Sequence, residues 1–195
     1  PPPLRGRGRP LETLRSNGID NFYWQYFQTL GVAESEFERD VAFTMRAVFA
    51  RGFTDPDASL FVQEGKGFLG DPSIARALPE WITEAELAEF ITAYRASGFR
   101  GGLNWYRNID RNWDLTAPWH GAQIHQPSLF IAGTEDSVIK GLIGAKRVHD
   151  LERVLSNLKQ KLLIEGAGHW IQQERPAEVN AALIAFLSEV TGRRP

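Results

Sequence analysis

The sequence has 195 residues, a formal net charge of −2, and 43% hydrophobic and 24% charged residues. These values are typical of a globular protein with a sizeable core, and the near-neutral charge argues against partners such as nucleic acid or an anionic membrane. The sequence contains no cysteine and only four scattered histidines, so we expect no disulfide and no metal site. No apolar run reaches the roughly 20 residues of a membrane span, and the first residues lack a signal-peptide core, which together predict a cytoplasmic protein.

Residues 1–12 are interpreted as a connector. The first ten are almost entirely Pro, Gly and Arg, a composition that cannot bury a core. An Arg-Gly run can contact RNA, but three arginines are too few to favour that function. The sequence opens with three prolines and its only methionine is Met45, which fits either a removed initiator methionine or an internal part of a longer protein.

An aromatic run occupies residues 21–28, Asn-Phe-Tyr-Trp-Gln-Tyr-Phe-Gln. Such a run is typical of a buried aromatic cluster, and by itself it favours that structural interpretation. The functional alternative is that Tyr23 or Tyr26 directs its hydroxyl into a pocket. Because no basic residues are interleaved, the run does not indicate stacking on nucleic acid.

Helical patterns dominate residues 13–117. Apolar residues at helical spacing predict one helix over residues 35–51. A capping box beginning at Thr83 predicts a second helix that ends near Ser97. The glycine-rich loop that follows is predicted to become helical around Leu103.

Trp105 and Tyr106 lie just after these glycines. Glycine allows the backbone to approach another group closely, and side chains that combine apolar bulk with a polar group are expected in a pocket wall. We therefore predict a binding surface here.

Residues 65–70 match the dinucleotide-binding pattern G-x-G-x-x-G. No strand is predicted before them, and Asp71-Pro72 opposes a helix after them. We therefore expect no nucleotide, and no other cofactor.

Residues 118–195 have a different pattern. A continuous apolar run at residues 127–132 predicts a buried parallel strand, and a helix is predicted over residues 142–158. A second strand is predicted at residues 161–164, and Pro176 is suited to the first position of a final helix. This strand–helix–strand–helix order predicts an α/β segment after an all-helical one.

Asp136 and His169 each follow one of the two predicted strands. Reactive side chains lie beyond the carboxyl ends of parallel strands, and an aspartate that accepts a hydrogen bond from an imidazole leaves the other ring nitrogen free as a base. This order matches the rear half of an α/β-hydrolase triad. A structural histidine and a helix-capping aspartate are the alternative, and Glu135 is a weaker candidate for the acid.

No nucleophile completes this pair. Residues 1–135 contain no G-x-[S/C/D]-x-G elbow and no H-G-x-P motif for an oxyanion hole. A sheet of two parallel strands would leave apolar surface and a bare edge. We therefore interpret the chain as the rear portion of a larger enzyme.

Two stretches carry a family resemblance. Ser97-Gly-Phe-Arg-Gly-Gly-Leu-Asn-Trp-Tyr-Arg-Asn108 and Tyr23-Trp-Gln-Tyr-Phe-Gln-Thr-Leu-Gly-Val-Ala-Glu34 resemble the cap domain of epoxide hydrolases of the α/β-hydrolase fold, soluble type. Residues 131–136 and 166–176 resemble that family's acid and histidine motifs. The resemblance implies a helical cap at 13–117 and, at 118–195, the last two strands and helices of the core, without its N-terminal half.

The resemblance also implies roles for individual residues. Tyr23 and Tyr106 would donate hydrogen bonds to the epoxide oxygen, His169 would activate water against a covalent ester, and Asp136 would orient His169. The family's nucleophile is an aspartate on a G-x-D-x-[G/A] elbow that is absent here. The expected substrate contacts are Trp24, Trp105 and Trp170; some relatives have glutamine in place of Trp24.

The implied partners are an epoxide, water and the remaining half of the hydrolase core. A homodimer is left open by the sequence. Another cap-bearing hydrolase, such as a haloalkane dehalogenase, is disfavoured by the paired tyrosines, because dehalogenation stabilises a halide. The alternative from a different class is an inert binding module that retains the cap, and the lack of a nucleophile supports it for this chain alone.

Overall fold

The computed structural model describes residues 8–50, 59–73, 76–140 and 142–192. These residues divide into two compact units, one up to Pro118 and the other from Trp119 onward. We call them the helical unit and the α/β unit. None of the described helices is long and apolar enough to cross a membrane.

Short helices build the helical unit, and their packed faces form an aromatic and aliphatic core that includes Phe27, Phe37, Met45, Phe49 and Leu103. Among its described residues, the segment between the fourth and fifth helices contains turns and isolated bridges but no strand. The helices are α1 (Pro10–Ser16), α2 (Tyr23–Tyr26), α3 (Val32–Arg39), α4 (Val41–Ala50), α5 (Glu84–Ser97), α6 (Arg100–Arg107) and α7 (Ile109–Leu115).

The prediction of a single helix over residues 35–51 was wrong. Asp40 adopts an extended conformation (φ −146°, ψ 93°) between α3 and α4, and its carboxylate accepts a hydrogen bond from the backbone N–H of Phe43 at 3.0 Å. Aspartate favours such local hydrogen bonds over helical continuation. The apolar period continued across the break because both helices pack on the same core; the predicted helix end at residue 51 lies outside the described residues.

Two predictions for the following helices had different outcomes. The capping box of α5 is confirmed, since Glu86 N–H donates to Thr83 Oγ1 at 3.2 Å and the Glu86 carboxylate accepts from Thr83 N–H at 2.8 Å. The start of α6 was predicted too late: the helix begins at Arg100, before Leu103. Gly101 and Gly102 are therefore helical, and an added Cβ at either would have no neighbour within 4 Å.

The α/β unit has the predicted strand–helix–strand–helix order. Strands β1 (Ser128–Gly133) and β2 (Leu158–Ile164) pair in parallel, with Leu129 opposite Gln160 and Gly133 opposite Ile164. Pro176 stands in the first turn of the last helix, as predicted. The helices of this unit are α8 (Ser137–Lys140), α9 (Leu142–His149), α10 (Ile171–Glu174) and α11 (Pro176–Thr191).

The predicted boundary between the helix at residues 142–158 and the second strand was wrong. Helix α9 ends at His149, and β2 begins at Leu158 instead of Lys161. Leu151 and Leu155 continue the helical apolar spacing, but they pack in a cluster with Phe130 and Leu158 through a short 3-10 turn. Pairing with β1 extends the strand toward this cluster.

Apolar side chains remain on the surface of the α/β unit. Val179 and Ala182 of α11 are buried, whereas other apolar residues of that helix and of β2 are more than one-third exposed. Groups of exposed apolar side chains are typical of a surface that contacts another part of a protein. The exposed residues are Leu163, Leu183, Ile184, Leu187 and Val190.

Candidate active site

His169 and Asp136 meet beyond the carboxyl ends of β2 and β1. Nδ1 of His169 lies 3.1 Å from Oδ2 of Asp136. The juxtaposition follows from the parallel pairing, because neighbouring parallel strands release their following loops at the same sheet edge.

Asp136 is held in a fixed orientation. Its side chain is 10% exposed, and Oδ1 accepts a hydrogen bond from the backbone N–H of Val138 at 2.8 Å while Oδ2 faces the imidazole. Glu135, the weaker candidate, instead pairs with Lys140 at 2.6 Å on the surface. The His169 side chain is 54% exposed, and its Nε2 has no hydrogen-bond partner among the described residues, so this nitrogen is available to water.

Backbone contacts bring the two loops together. Glu135 N–H donates to the Ala167 carbonyl at 2.8 Å, and Gly166 N–H donates to Thr134 Oγ1 at 2.9 Å. A Cβ added to Gly133 would collide with the Ala167 carbonyl. Glycine at position 133 therefore permits the close approach on which the His169–Asp136 contact depends.

Glu174 is a site residue that sequence reasoning missed. Its carboxylate accepts hydrogen bonds from the N–H groups of Gly168 at 2.5 Å and Trp170 at 2.8 Å, on either side of His169. The carboxylate thus fixes the loop that carries the imidazole. Its place in the Gly166–Pro176 stretch was a signal that Glu174 belonged to this loop, but not that it bound these amides.

Tyr23 and Tyr106 form a second polar centre, within the helical unit. Tyr23 begins α2, Tyr106 lies in α6, and their ring centroids are 5.5 Å apart with planes at 71°. Burial raises the pKa of Tyr23 to about 12, and the neighbouring Tyr106 hydroxyl adds to this rise. Burial also raises the pKa of Tyr106. Both phenols therefore keep their protons, as hydrogen-bond donors must, well above neutral pH.

Tyr26 has a different role from Tyr23. Its hydroxyl donates to Oε2 of Glu36 at 2.7 Å, and burial followed by this carboxylate raises its pKa. Phe27 packs against both of the other two phenols, with ring centroids 5.5 Å from Tyr23 and 5.0 Å from Tyr106. The aromatic run is thus both a core cluster and the support of one phenol.

The three tryptophans expected as substrate contacts have different surroundings. Trp24 stacks edge-on against Tyr23 at 6.1 Å, and Trp170 stacks edge-on against His169 at 5.3 Å. The indole N–H of Trp24 partly offsets the rise in the Tyr23 pKa, although it is buried without a well-formed hydrogen bond among the described residues. Trp105, in α6, is 79% exposed and makes no ring contact with either centre among the described residues.

The G-x-G-x-x-G stretch binds a carboxylate of the chain itself. The N–H groups of Phe68 and Leu69 donate to the two oxygens of Glu36 at 3.1 and 2.8 Å. Gly67 has φ +68°, and a Cβ there would collide with that carboxylate. No cluster of three metal-ligating side chains is found in the parts of the chain that the structure describes.

Comparisons with known proteins agree on one family. Epoxide hydrolase A of Mycobacterium tuberculosis (strain ATCC 25618 / H37Rv) is 42% identical over 189 residues, which cover 94% of this chain and 58% of that protein. The crystal structure of epoxide hydrolase A from Mycobacterium thermoresistibile has 44% identity and a TM-score of 0.83, covering 96% of this chain and 59% of its own. Over almost its whole length, the chain is similar in sequence and structure to epoxide hydrolases of the α/β-hydrolase fold.

An epoxide hydrolase from an endophytic Streptomyces is similar as well, with 39% identity and a TM-score of 0.88 over 98% of this chain and 59% of that one. No family model matches the chain. The chain spans a little under three-fifths of the length of these relatives. The predicted fold class is confirmed: a helical unit precedes part of an α/β-hydrolase core, which has two parallel strands among the described residues.

Proposed function

We propose that the protein containing this chain hydrolyses epoxides to vicinal diols through a covalent alkyl-enzyme ester. The observation that carries the proposal is the pair of protonated phenols, Tyr23 and Tyr106, in one aromatic cluster. Attack on an epoxide breaks a ring C–O bond and leaves negative charge on the oxygen. Two phenol donors aimed at that oxygen stabilise this charge as an oxyanion hole does.

The second half of the reaction uses His169 and Asp136. Water attacks the ester carbonyl, and Nε2 of His169 accepts the water proton while Asp136 stabilises the imidazolium that forms. The bond between the carbonyl carbon and the alkoxide oxygen then breaks, and the alkoxide takes the proton from His169 and leaves as the diol. The hydrogen bond between Nδ1 and Asp136 supports this assignment, since it leaves Nε2 as the free base. The nucleophilic aspartate would come from a part of the core outside the 195 residues.

Trp24 and Trp170 are proposed to contact the substrate, because each lies against one of the proposed catalytic side chains. Trp105 is also proposed to contact the substrate, and this proposal rests only on its position in the cap motif. We assign the cap to residues 13–117 and the partial core to 118–195, after a connector at 1–12.

The exposed apolar face of the α/β unit supports a further part of the proposal. Leu183, Ile184 and Leu187 are each more than 40% exposed, and burial of such side chains is worth about 1.5–3 kcal/mol each. We propose that the remaining strands of the hydrolase core cover this face. A cytoplasmic location, consistent with the lack of cysteine, and a homodimer are also proposals, which fractionation and sedimentation would test.

Two measurements test the function. The coding sequence upstream of Pro1 should contain H-G-x-P and G-x-D-x-[G/A], and the full-length protein should convert an epoxide such as styrene oxide to its diol. The 195-residue chain alone should not. An intact upstream frame without either motif, or a full-length protein that turns over haloalkanes but no epoxide, would overturn the proposal.

A further inference from the structure

An arginine with a largely covered side chain links the two segments that carry the phenols. Arg107 follows Tyr106 at the end of α6, and its guanidinium forms a two-pronged ion pair with Glu34, at 2.6 Å from Nη1 to Oε1 and 2.8 Å from Nη2 to Oε2. The two side chains are 10% and 13% exposed. Paired planar groups of this kind fix orientation as well as distance.

The same guanidinium binds the segment that follows Tyr23. Nε donates to the Phe27 carbonyl at 2.9 Å, and Nη2 lies 3.4 Å from the Thr29 carbonyl. These carbonyls lie at and just beyond the end of α2, where helical C=O groups lack intrahelical partners. Arg107 therefore satisfies the end of the helix that begins with Tyr23.

Glu34 is itself fixed on the helical unit. Its Oε2 accepts a hydrogen bond from Gly31 N–H at 3.0 Å, so the carboxylate caps the first turn of α3. The Arg107 guanidinium is the largest cause that lowers the pKa of Glu34 to about 2. The carboxylate is therefore charged at neutral pH, and α3 serves as the anchor of the link.

Gln28 adds a second connection between the two segments. Its side-chain amide donates to the carbonyls of Trp24 at 2.6 Å and Tyr106 at 3.2 Å. Both connections bind backbone carbonyls of the segments that carry the phenol rings. Neither uses a tyrosine hydroxyl; the two hydroxyls instead interact with each other, and each affects the pKa of the other.

We propose that Arg107 is a positioning residue, which sets the separation of the Tyr23 and Tyr106 hydroxyls through its simultaneous bonds to Glu34 and to the end of α2. The inference rests on the proposed function for its catalytic consequence, but not for its structural one. A lysine at this position would keep the charge but could not bind the carboxylate and the carbonyls at once.

Arg107→Lys in the full-length protein is the test variant. We expect kcat and kcat/KM for epoxide opening to fall together by about 10²-fold, since a displacement of about 1 Å has this effect on oriented groups. KM should stay unchanged. Arg46→Lys is the matched control, because Arg46 pairs with Glu84 at the surface of the same unit, and it should leave all three constants unaltered.

A double-mutant comparison separates positioning from general damage. In a Tyr23→Phe/Tyr106→Phe background, Arg107→Lys should cause no further loss, since it acts through the missing hydroxyls. An equal loss in both backgrounds would overturn the proposal. If Arg107→Lys does not fold, Glu34→Gln replaces it, with the same pattern expected and the same result contradicting it.

A second readout does not depend on epoxide turnover. Carbon-13 labelling of the tyrosine rings in the full-length protein gives a spectrum in which tyrosine-to-phenylalanine variants assign the signals of Tyr23, Tyr94 and Tyr106. Arg107→Lys should shift the Tyr23 and Tyr106 resonances at neutral pH and leave that of Tyr94 in place. Unmoved Tyr23 and Tyr106 resonances would overturn the positioning role even in a protein with no epoxide activity, whereas shifted resonances without turnover would contradict the proposed function alone.

Discussion

The two units hold their polar groups in place by different means. In the helical unit, Tyr23 and Tyr106 are supported by side-chain contacts that join distant parts of the sequence, chiefly the contacts of Phe27 and Arg107. In the α/β unit, Asp136 and His169 are brought together mainly by backbone hydrogen bonds between two loops and by a glycine that lets them approach.

The difference reflects what each architecture supplies. A parallel strand pair already fixes where its following loops begin, so short-range backbone bonds are enough to align them. Helices of four to eight residues, such as α2 and α6, have little stability of their own and depend on tertiary packing. Side-chain changes should therefore disturb the first centre most, and backbone changes the second.

Removal of both phenols should have the largest effect. Tyr23→Phe/Tyr106→Phe keeps the aromatic packing and deletes two donors, each worth about 10²–10³ in rate at an oxyanion site. We expect epoxide opening in the full-length protein to slow by more than about 10³-fold, as measured by single-turnover kinetics. Tyr26→Phe, which loses only a bond to Glu36, is the control. An equal loss from Tyr26→Phe would mean that Tyr23 and Tyr106 are not the specific pair of donors to the epoxide oxygen.

Loss of the Glu34–Arg107 pair should have the next largest effect, and its effect on the free energy of unfolding should depend on pH. Hydrogen bonds to charged groups contribute about 1.5–3 kcal/mol, so loss of this part-buried pair in Glu34→Gln should lower the free energy of unfolding at neutral pH. Because the folded-state pKa of Glu34 is depressed from 4.5 to about 2, the stabilisation is present above pH 4.5 and is lost as the pH falls toward 2. Denaturant titrations of both proteins should therefore converge over this interval. A difference that stays constant down to pH 2 would rule out the ion pair as its origin.

A backbone change should act mainly on the α/β unit. Gly133→Ala forces a Cβ against the Ala167 carbonyl, and overpacking of this kind costs about 1–3 kcal/mol. We expect a lower denaturation midpoint and a weakened Asp136–His169 hydrogen bond, visible as a shift of the imidazole proton resonance. Gly101→Ala is the matched control, since its Cβ meets nothing and helical alanine is favoured by about 0.5–1 kcal/mol. If both substitutions had the same effect, the supposed contrast between the units would be unfounded.

The α/β unit was the more predictable from sequence. The apolar runs before Gly133 and in β2 are local signals, and the placement of Asp136 and His169 follows from them by the rule for strand ends. The errors concerned the boundaries of the elements. Leu151 and Leu155 match helical spacing, although they belong to a compact turn. Spacing alone does not separate these cases.

The helical unit was less predictable because its key contacts are distant in sequence. Tyr23 was chosen over Tyr26 by family resemblance, since both lie in the same aromatic run. The break at Asp40 depended on a local side-chain bond that an apolar period does not reveal. Arg107 and Glu174 were missed because their partners, the Glu34 carboxylate and the Gly168 and Trp170 amides, are identified only by tertiary structure.

The most direct test of the central claim is the mass of the full-length His169→Gln protein after mixing with an epoxide. Ring opening at the phenol pair should proceed while ester hydrolysis loses its base, so we expect one added substrate mass per protein, with diol release reduced by about 10²–10⁴-fold. His120→Gln, at an exposed position, should show no adduct and normal diol release. Normal diol release by His169→Gln without any adduct would contradict the assignment of His169 as the base that acts on a covalent ester.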